Sequence, residues 1–268
     1  MDTSTVAITG AIRTEVNGST GWLIIDNEPK RNAVSLAMWQ DLPARVQDLV
    51  NDDRVRVIVV RGAGESSFVS GADISEFEAT RATAAAAKAY DAINVAAFKA
   101  LKHAAKPTIA MIRGHCIGGG LGIALACDMR IAAEGNQFGI PAARLGIAYP
   151  LDAMSDIVEA VGASAAKRLL FTAERLVTQE ALSIGLIGER VPADDLMDCI
   201  TKHCLTLGSN APLTLAAAKL AINAIASGAN DDDMDRASQA ATTCYDSADF
   251  VEGRNAFLDK RRPTFAGK

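Results

Sequence analysis

The chain has 268 residues, 49% of them hydrophobic and only 5% aromatic, with a formal net charge of −5. At ~150 residues per domain this is one large body, or a body with a small appendage, and the apolar content excludes disorder. The acidic balance excludes a broad phosphate-backbone interface, so no nucleic-acid partner is expected, although a local basic patch for one phosphorylated ligand is compatible with it.

In chain order, residues 21–25 read as a strand ended by the polar turn Asp26-Asn27-Glu28-Pro29. Ser35 can N-cap a helix running towards Val50, with a kink or restart expected at Pro43. Residues 55–61 (VRVIVVR) form the clearest buried strand, stopped by Gly62-Ala63-Gly64. A long Ala-rich helix follows at 82–103, then a strand at 107–112, a glycine-opened helix at 118–127 and a short strand at 129–133. From about Ala163 helical segments dominate, at 163–172, 178–184, 193–208, 212–227, 231–245 and 248–260. The pattern is an α/β body with a helical C-terminal part.

The opening Met1-Asp2-Thr3-Ser4 has no basic or apolar character of a secretory signal. The longest uncharged apolar stretch, 114–127, is glycine-broken and too short to span a bilayer, so no membrane partner is expected. Five scattered cysteines (116, 127, 199, 204, 244) suit reduced thiols in a cytoplasmic protein.

Several motifs fail on inspection. Gly62-Ala63-Gly64 follows a strand, but Ser67 stands at the third glycine position of a dinucleotide fingerprint. Gly118-Gly119-Gly120-Leu121-Gly122 lacks the Lys-Ser/Thr of a phosphate loop. Asp231-Asp232-Asp233 resembles the start of a calcium loop, yet Arg236 and Thr242 occupy the obligatory Gly and Glu positions, so a solvated helix start is expected instead. Gly162-Ala163-Ser164-Ala165-Ala166 misses the last glycine of a nucleophile elbow. Cys199 and His203 share a helix face at i, i+4 without a second ligand pair, and no metal is expected.

Two glycine-marked turns carry more. Phe68-Val69-Ser70-Gly71-Ala72-Asp73-Ile74 and Gly114-His115-Cys116-Ile117-Gly118-Gly119-Gly120 each follow a buried strand and lead into a helix. A small-residue turn lets a substrate reach bare backbone N–H groups, and a helix N-terminus behind them adds partial positive charge. Two such groups facing one point make an oxyanion hole; the plain alternative is that the glycines permit tight crossings.

The wording at 62–77 (GAGESSFVSGADISEF) and 106–147 (KPTIAMIRGHCIGGGLGIALACDMRIAAEGNQFGIPAARLGI) resembles the crotonase superfamily, also called the enoyl-CoA hydratase/isomerase family. The likeness begins at Pro29-Lys30-Arg31-Asn32-Ala33, continues through 171–191 and ends with 245–265. It implies a crotonase-like spiral of ββα units, an acyl-CoA-binding core over 1–199, and a helical C-terminal region over 200–268 that builds homotrimers or hexamers, as dimers of trimers. It also implies a role in the metabolism of fatty-acid-type thioesters, with no permanently bound cofactor and coenzyme A entering as part of the substrate. The two thioester-binding amides map to Ala72 and Gly119. Lys30, Arg31 and Ala33 match the segment that meets CoA, Ser70, Gly71, Asp73 and Ile74 belong to the binding turn, and Phe257 and Lys260 match the C-terminal helix that contacts CoA, commonly from a neighbouring subunit.

The sequence departs from the hydratases of that family at both water-activating glutamates, which here are Gly122 and Ala142. Neither can hold or move a proton. Loss of CO₂ from a malonyl-type thioester generates an enolate without a base, and Tyr149 falls where the methylmalonyl-CoA decarboxylases of the superfamily have an active-site Tyr. Asp152 is an acid candidate, or else opens the following helix, and His115 lies near the Gly-rich turn. Three readings stay open: a decarboxylase-like C–C lyase, a hydratase or isomerase with unconventional acid/base residues such as Tyr149 or Asp152, and a non-catalytic acyl-CoA scaffold.

Overall fold

The structure is a computed structural model and describes residues 10–228 and 230–268, so the opening tetrapeptide lies outside the described residues. β1 (Ala11–Asn17) and β2 (Thr20–Asp26) form an antiparallel hairpin. β1 is absent from the sequence expectations because Arg13 and Glu15 interrupt its apolar character, as suits an edge strand. α1 (Leu36–Asn51) starts at Ser35, whose hydroxyl accepts from Met38 N. It continues through Pro43 as one element rather than restarting there. Proline removes a single ladder bond, and burial of Trp39, Leu42 and Val46 on one face outweighs that loss.

β3 (Val57–Gly62) and β4 (Ser67–Val69) precede the short α2 (Phe77–Thr80) and the long α3 (Ala84–Lys102). β5 (Thr108–Ile112), β6 (His115–Ile117) and α4 (Gly119–Ala126) repeat the same strand–strand–helix order. β7 (Met129–Ala133), β8 (Gln137–Gly139), α5 (Ala142–Leu145) and α6 (Leu151–Thr172) repeat it again. α6 begins twelve residues before the expected start at 163, the two parts meeting at Gly162 in a non-helical conformation (φ 73°, ψ 162°). β9 (Leu176–Val177), α7 (Thr178–Ser183) and β10 (Glu189–Val191) close the sheets. α8 (Leu196–Ser209), α9 (Pro212–Ala226), α10 (Asp231–Tyr245) and α11 (Ala248–Leu258) form the helical remainder. The residue 199/200 division lies within α8.

Each strand–strand–helix unit gives its first strand to one sheet and its second to another. The larger sheet has the order β1-β2-β3-β5-β7-β10 and the smaller β4-β6-β8-β9. All pairings from β2 to β10 in the first, and β4-β6-β8 in the second, are parallel. This is the spiral of ββα units implied by the resemblance. The period-2 rule sorts β3 cleanly: Ile58 and Val60 enter the main core, while Val57 and Val59 pack with Ile109, Met111 and Ile131 against Leu196 and Ile200 of α8. Burial on both faces explains why VIVV reads as an unbroken apolar run. No described helix is long and apolar enough to cross a membrane, and all five cysteines are free.

Candidate active site

The parallel pairing of β4, β6 and β8 brings three strand ends together. Val69 pairs with Cys116 and Ile117 with Gly139, so the segments that follow, Ser70–Gly71–Ala72, Gly118–Gly119 and Pro141–Ala142, emerge side by side. Gly118 N donates to Gly139 O at 2.8 Å, tying the second turn to the third. These segments line a cleft of about 730 Å³, open to solvent, whose far wall comes from Trp39, α3 and the α5–α6 connection.

The first turn is fixed from behind. Asn32, fully buried, donates through Nδ2 to Ala63 O (2.9 Å) and Ser67 O (2.7 Å), while Asn27 Nδ2 donates to Ala33 O at 2.7 Å. That network holds Val34 in a parallel bridge with Ala72, in which Val34 N donates to Gly71 O and Asp73 N to Val34 O. The bridge consumes the groups on either side of Ala72, which itself lines the cleft. Gly119 is the first residue of α4, where an N–H has no intrahelical acceptor. Neither amide donates to a protein acceptor among the described residues.

The two turns lie close together: a carbon placed as Cβ on Gly119 would lie 3.7 Å from Ala72 N but only 2.9 Å from Trp39 Cζ2, and one on Gly71 3.8 Å from Gly119 N and 3.2 Å from Ile117 O. Gly71 (φ +112°) and Gly118 (φ +56°) also hold backbone conformations that L side chains avoid. The Ala72 and Gly119 amides thus lie close together, with the N-terminus of α4 at one of them.

Tyr149 Oη reaches the same region, 3.6 Å from a Cβ position on Gly118. Burial pushes its phenol up to about 12, against an opposing pull from Arg81, so the hydroxyl is protonated at neutral pH. Gly122 and Ala142, the positions that the resemblance assigns to the two glutamates, are apolar. Ala142 is buried in the cleft wall, and a Cβ on Gly122 would meet Phe98 Cζ at 2.5 Å. Phe98 stands edge-on to Trp39 with ring centroids 5.6 Å apart and occupies the space a longer residue 122 would need.

Ser70, Gly71, Ala72, Ile74, Gly119 and Tyr149 all line the cleft. Lys30 and Asp73 lie beside it: Lys30 Nζ contacts Asp73 Oδ2 at 2.6 Å and Ser75 Oγ at 3.2 Å. Burial works to raise the Asp73 carboxyl, but Lys30 and Ser75 outweigh it and hold it below the usual range. Asp73 also caps the following turn by accepting from Ser75 N, as its position suggests. Arg31 is exposed on the same loop and joins no ion pair among the described residues; Ala33 is buried beneath it. Phe257, 84% exposed, and Lys260 do not line the cleft. Asp152 stands outside it, half-exposed and paired with Lys99 at 2.8 Å. It is not the cap of α6, which begins one residue earlier at Leu151 after Pro150. His115, on β6, is also outside, and burial lowers its pKa.

Sequence reasoning missed Trp39, Arg81, Asp91, Asn94 and Phe98 in the cleft wall. Four of them sit on a helix whose facing side only the tertiary fold reveals, and Arg81 lies in the bend between α2 and α3. The Cys199–His203 face acquires a neighbour as well. Glu189 of β10 accepts from Cys199 Sγ (3.2 Å) and contacts His203 Nε2 (2.7 Å), three potential ligand atoms within 4.8 Å of one another that here bond each other and clamp α8 to β10. The acidic run at 231–233 is the first turn of α10, capped by Asn230.

The pattern of the enoyl-CoA hydratase/isomerase family matches residues 18–268. The chain is 32% identical over 248 residues to the short-chain-enoyl-CoA hydratase of Clostridium acetobutylicum, spanning 92% of this chain and 94% of that protein. It is 30% identical over 241 residues to the methylmalonyl-CoA decarboxylase of Escherichia coli K12, spanning 89% and 91%. The solved structure of an enoyl-CoA hydratase/isomerase family protein from Hyphomonas neptunium superposes with a TM-score of 0.91 at 33% identity, covering 96% of this chain and 98% of that one.

Proposed function

Because the chain belongs to the enoyl-CoA hydratase/isomerase family, we propose that it is an acyl-CoA enzyme that holds a thioester oxygen between the amides of Ala72 and Gly119 and stabilises the resulting enolate without a glutamate pair. The observation that carries this reading is the pair of unpartnered amides lying close together beside Tyr149 in one cleft. Each such donor contributes ~2.7–4 kcal/mol when charge develops on the oxygen.

The specific reaction that fits best is decarboxylation of a malonyl-type thioester. The bond between the α-carbon and the carboxylate breaks, its electron pair passes into the thioester enolate, and CO₂ leaves. Tyr149 Oη then delivers a proton to the α-carbon and regains one from water. No general base is needed, and the apolar side chains of Phe98 and Ala142 disfavour solvation of the carboxylate. Asp152 is a poorer acid for this step, since Lys99 already holds it outside the cleft.

Arg31, exposed and without an ion-pair partner among the described residues, is the better phosphate contact of the basic pair, because Lys30 is engaged by Asp73. Phe257 and Lys260 serve a neighbouring subunit's CoA in a homotrimer or hexamer. Apolar side chains left on the helical surface, Leu205, Ile222, Ile225 and Phe257, support such assembly.

The test is to incubate the purified protein with crotonyl-CoA, a 3-enoyl-CoA and methylmalonyl-CoA and to follow product masses. Loss of CO₂ from methylmalonyl-CoA alone is expected. Fast hydration of crotonyl-CoA would overturn the decarboxylase reading, and saturable binding without turnover of any thioester would show a scaffold instead.

A further inference from the structure

The cleft has a second polar feature opposite the amides. Arg81, with its side chain only 14% exposed, lies over the ring of Tyr90 (4.2 Å) and beside that of Phe77 (5.1 Å). Its Nη2 contacts Asp91 Oδ1 at 2.9 Å and Asn94 Oδ1 at 3.5 Å. Helical spacing on α3 puts Asp91 and Asn94 on one face, with Tyr90 behind. Arg81, Asp91 and Asn94 line the same cleft as Ala72, Gly119 and Tyr149.

This wall is short of acceptors. Arg81 Nε and Asn94 Nδ2 are buried without a hydrogen-bond partner, and so are Tyr90 Oη and Trp39 Nε1. Arg81 Nη1 likewise bonds nothing among the described residues. Tyr90, Trp39 and Asn94 are each at least nine-tenths buried. A buried donor left unpaired is costly, and a guanidinium has a planar fork suited to a carboxylate. The monodentate Asp91 contact uses one of its five N–H groups and keeps the empty cleft free of surplus charge. A hydrocarbon acyl chain would leave the free Arg81 N–H groups that face this wall unsatisfied.

Building on the acyl-CoA reading, we infer that Arg81, assisted by Asn94, is a specificity-determining residue that recognises a carboxylate on the acyl group of the thioester. The cleft then reads two oxygens of one ligand: the thioester carbonyl at the glycine turns and the acyl carboxylate at α3.

Binding tests this independently of turnover. Dissociation constants are measured by calorimetry for butyryl-, pentanoyl- and hexanoyl-CoA, for the ω-carboxylated thioesters of the same lengths, and for the methyl esters of the latter. The protein should bind at least one carboxylated thioester roughly ten- to a hundredfold more tightly than its hydrocarbon and ester counterparts, the range of one charge-assisted hydrogen bond. In Arg81→Met that ratio should fall to about one, and in Asn94→Asp, which replaces a donor by a like charge, it should fall below the parent's. Should Arg81→Met prove insoluble, Asn94→Asp carries the test. Equal affinity for all three ligand types, a preference for the methyl ester, or a ratio unchanged in the folded variants would overturn the assignment. Binding of none of the thioesters would overturn the acyl-CoA reading itself, a result distinct from the others.

Discussion

The oxyanion assignment rests on backbone atoms, so its test must delete an N–H while leaving the fold in place. Gly119 permits this, because it is the first residue of α4, where proline is favoured and the missing N–H has no intrahelical acceptor to lose. Gly119→Pro removes one donor and sets a ring carbon where the thioester oxygen would approach. Any replacement at this position also brings a Cβ to 2.9 Å from Trp39 Cζ2, an overpacking of about 1–3 kcal/mol. Gly119→Ala carries the same crowding but keeps the N–H, so dividing the two variants' rates cancels the packing cost. What remains is the lost oxyanion donor together with the ring carbon that blocks the oxygen, which should make Gly119→Pro at least roughly 10²–10³-fold slower than Gly119→Ala on whichever thioester the parent turns over. A second readout is free of turnover: an aryl-acyl-CoA whose absorbance moves to the red when its carbonyl is polarised should shift on binding to Gly119→Ala and much less on binding to Gly119→Pro. A folded proline variant within about threefold of the alanine variant, with the same spectral shift, would refute the two-amide hole.

Four further outcomes follow from the geometry. Tyr149→Phe keeps the ring and should lower kcat by roughly 10²–10⁴-fold; because the folded phenol is raised to about 12, its protonated form persists through pH 10 and is lost only as pH rises towards 12, so an alkaline limb near pH 8 that vanished in the variant would contradict the assignment. Asp152→Asn breaks an exposed pair with Lys99 and should change stability by no more than about 1 kcal/mol and turnover by no more than about threefold, as read by thermal unfolding and steady-state rates. Arg261 and the Thr264 amide hold Glu252 down to about 2, so their clamp on the C-terminal tail is complete above pH 4.5 and lost as pH falls towards 2; amide protection factors at 261–268, corrected for the intrinsic exchange rate, should fall across that window, and Glu252→Gln should lower them at neutral pH. Gly122→Glu alone, with its Cβ 2.5 Å from Phe98 Cζ, should cost about 1–3 kcal/mol in Tm measurements, whereas adding Phe98→Ala and Ala142→Glu should raise crotonyl-CoA hydration roughly 10²-fold or more over the parent.

Much of the architecture was legible because the signals were local and strong. VRVIVVR announces a strand buried on both faces, Ser35 announces a cap, and the glycines at 71 and 118 announce turns that other residues avoid. The three-residue strands β4, β6, β8 and β10 were not legible, since so few residues establish no period. Their pairing nevertheless is what brings Ala72 and Gly119 together. Asp152 shows the opposite failure: it is close to the cleft in sequence, but α6 begins at Leu151 and turns its side chain to Lys99. Arg81 lay hidden because a lone arginine before an Ala-rich helix looks like a solvated charge. Only the packing of α2 and α3 shows that its side chain is enclosed by Phe77 and Tyr90.

In the proposed function, Gly122 and Ala142 constrain the chemistry more than the proposed two-amide hole does. An oxyanion hole serves any enolate, whether it comes from proton abstraction, conjugate addition or loss of a carboxylate. The first two routes need a group in the cleft that takes or orients a proton at the start of the reaction. Of the titratable side chains lining the cleft, Asp91 is bound to Arg81 and Tyr149 is held protonated, so neither is poised as a base near neutral pH. Phe98 fills the space at Gly122 and leaves no room there for a carboxylate or its ordered water without rearrangement. Loss of a carboxylate needs its proton last, from a donor that is still protonated when the enolate forms, and a phenol raised to about 12 meets that requirement. The proposed decarboxylation is the route whose proton demand matches this supply, and the apolar contacts of Phe98 and Ala142 are compatible with it.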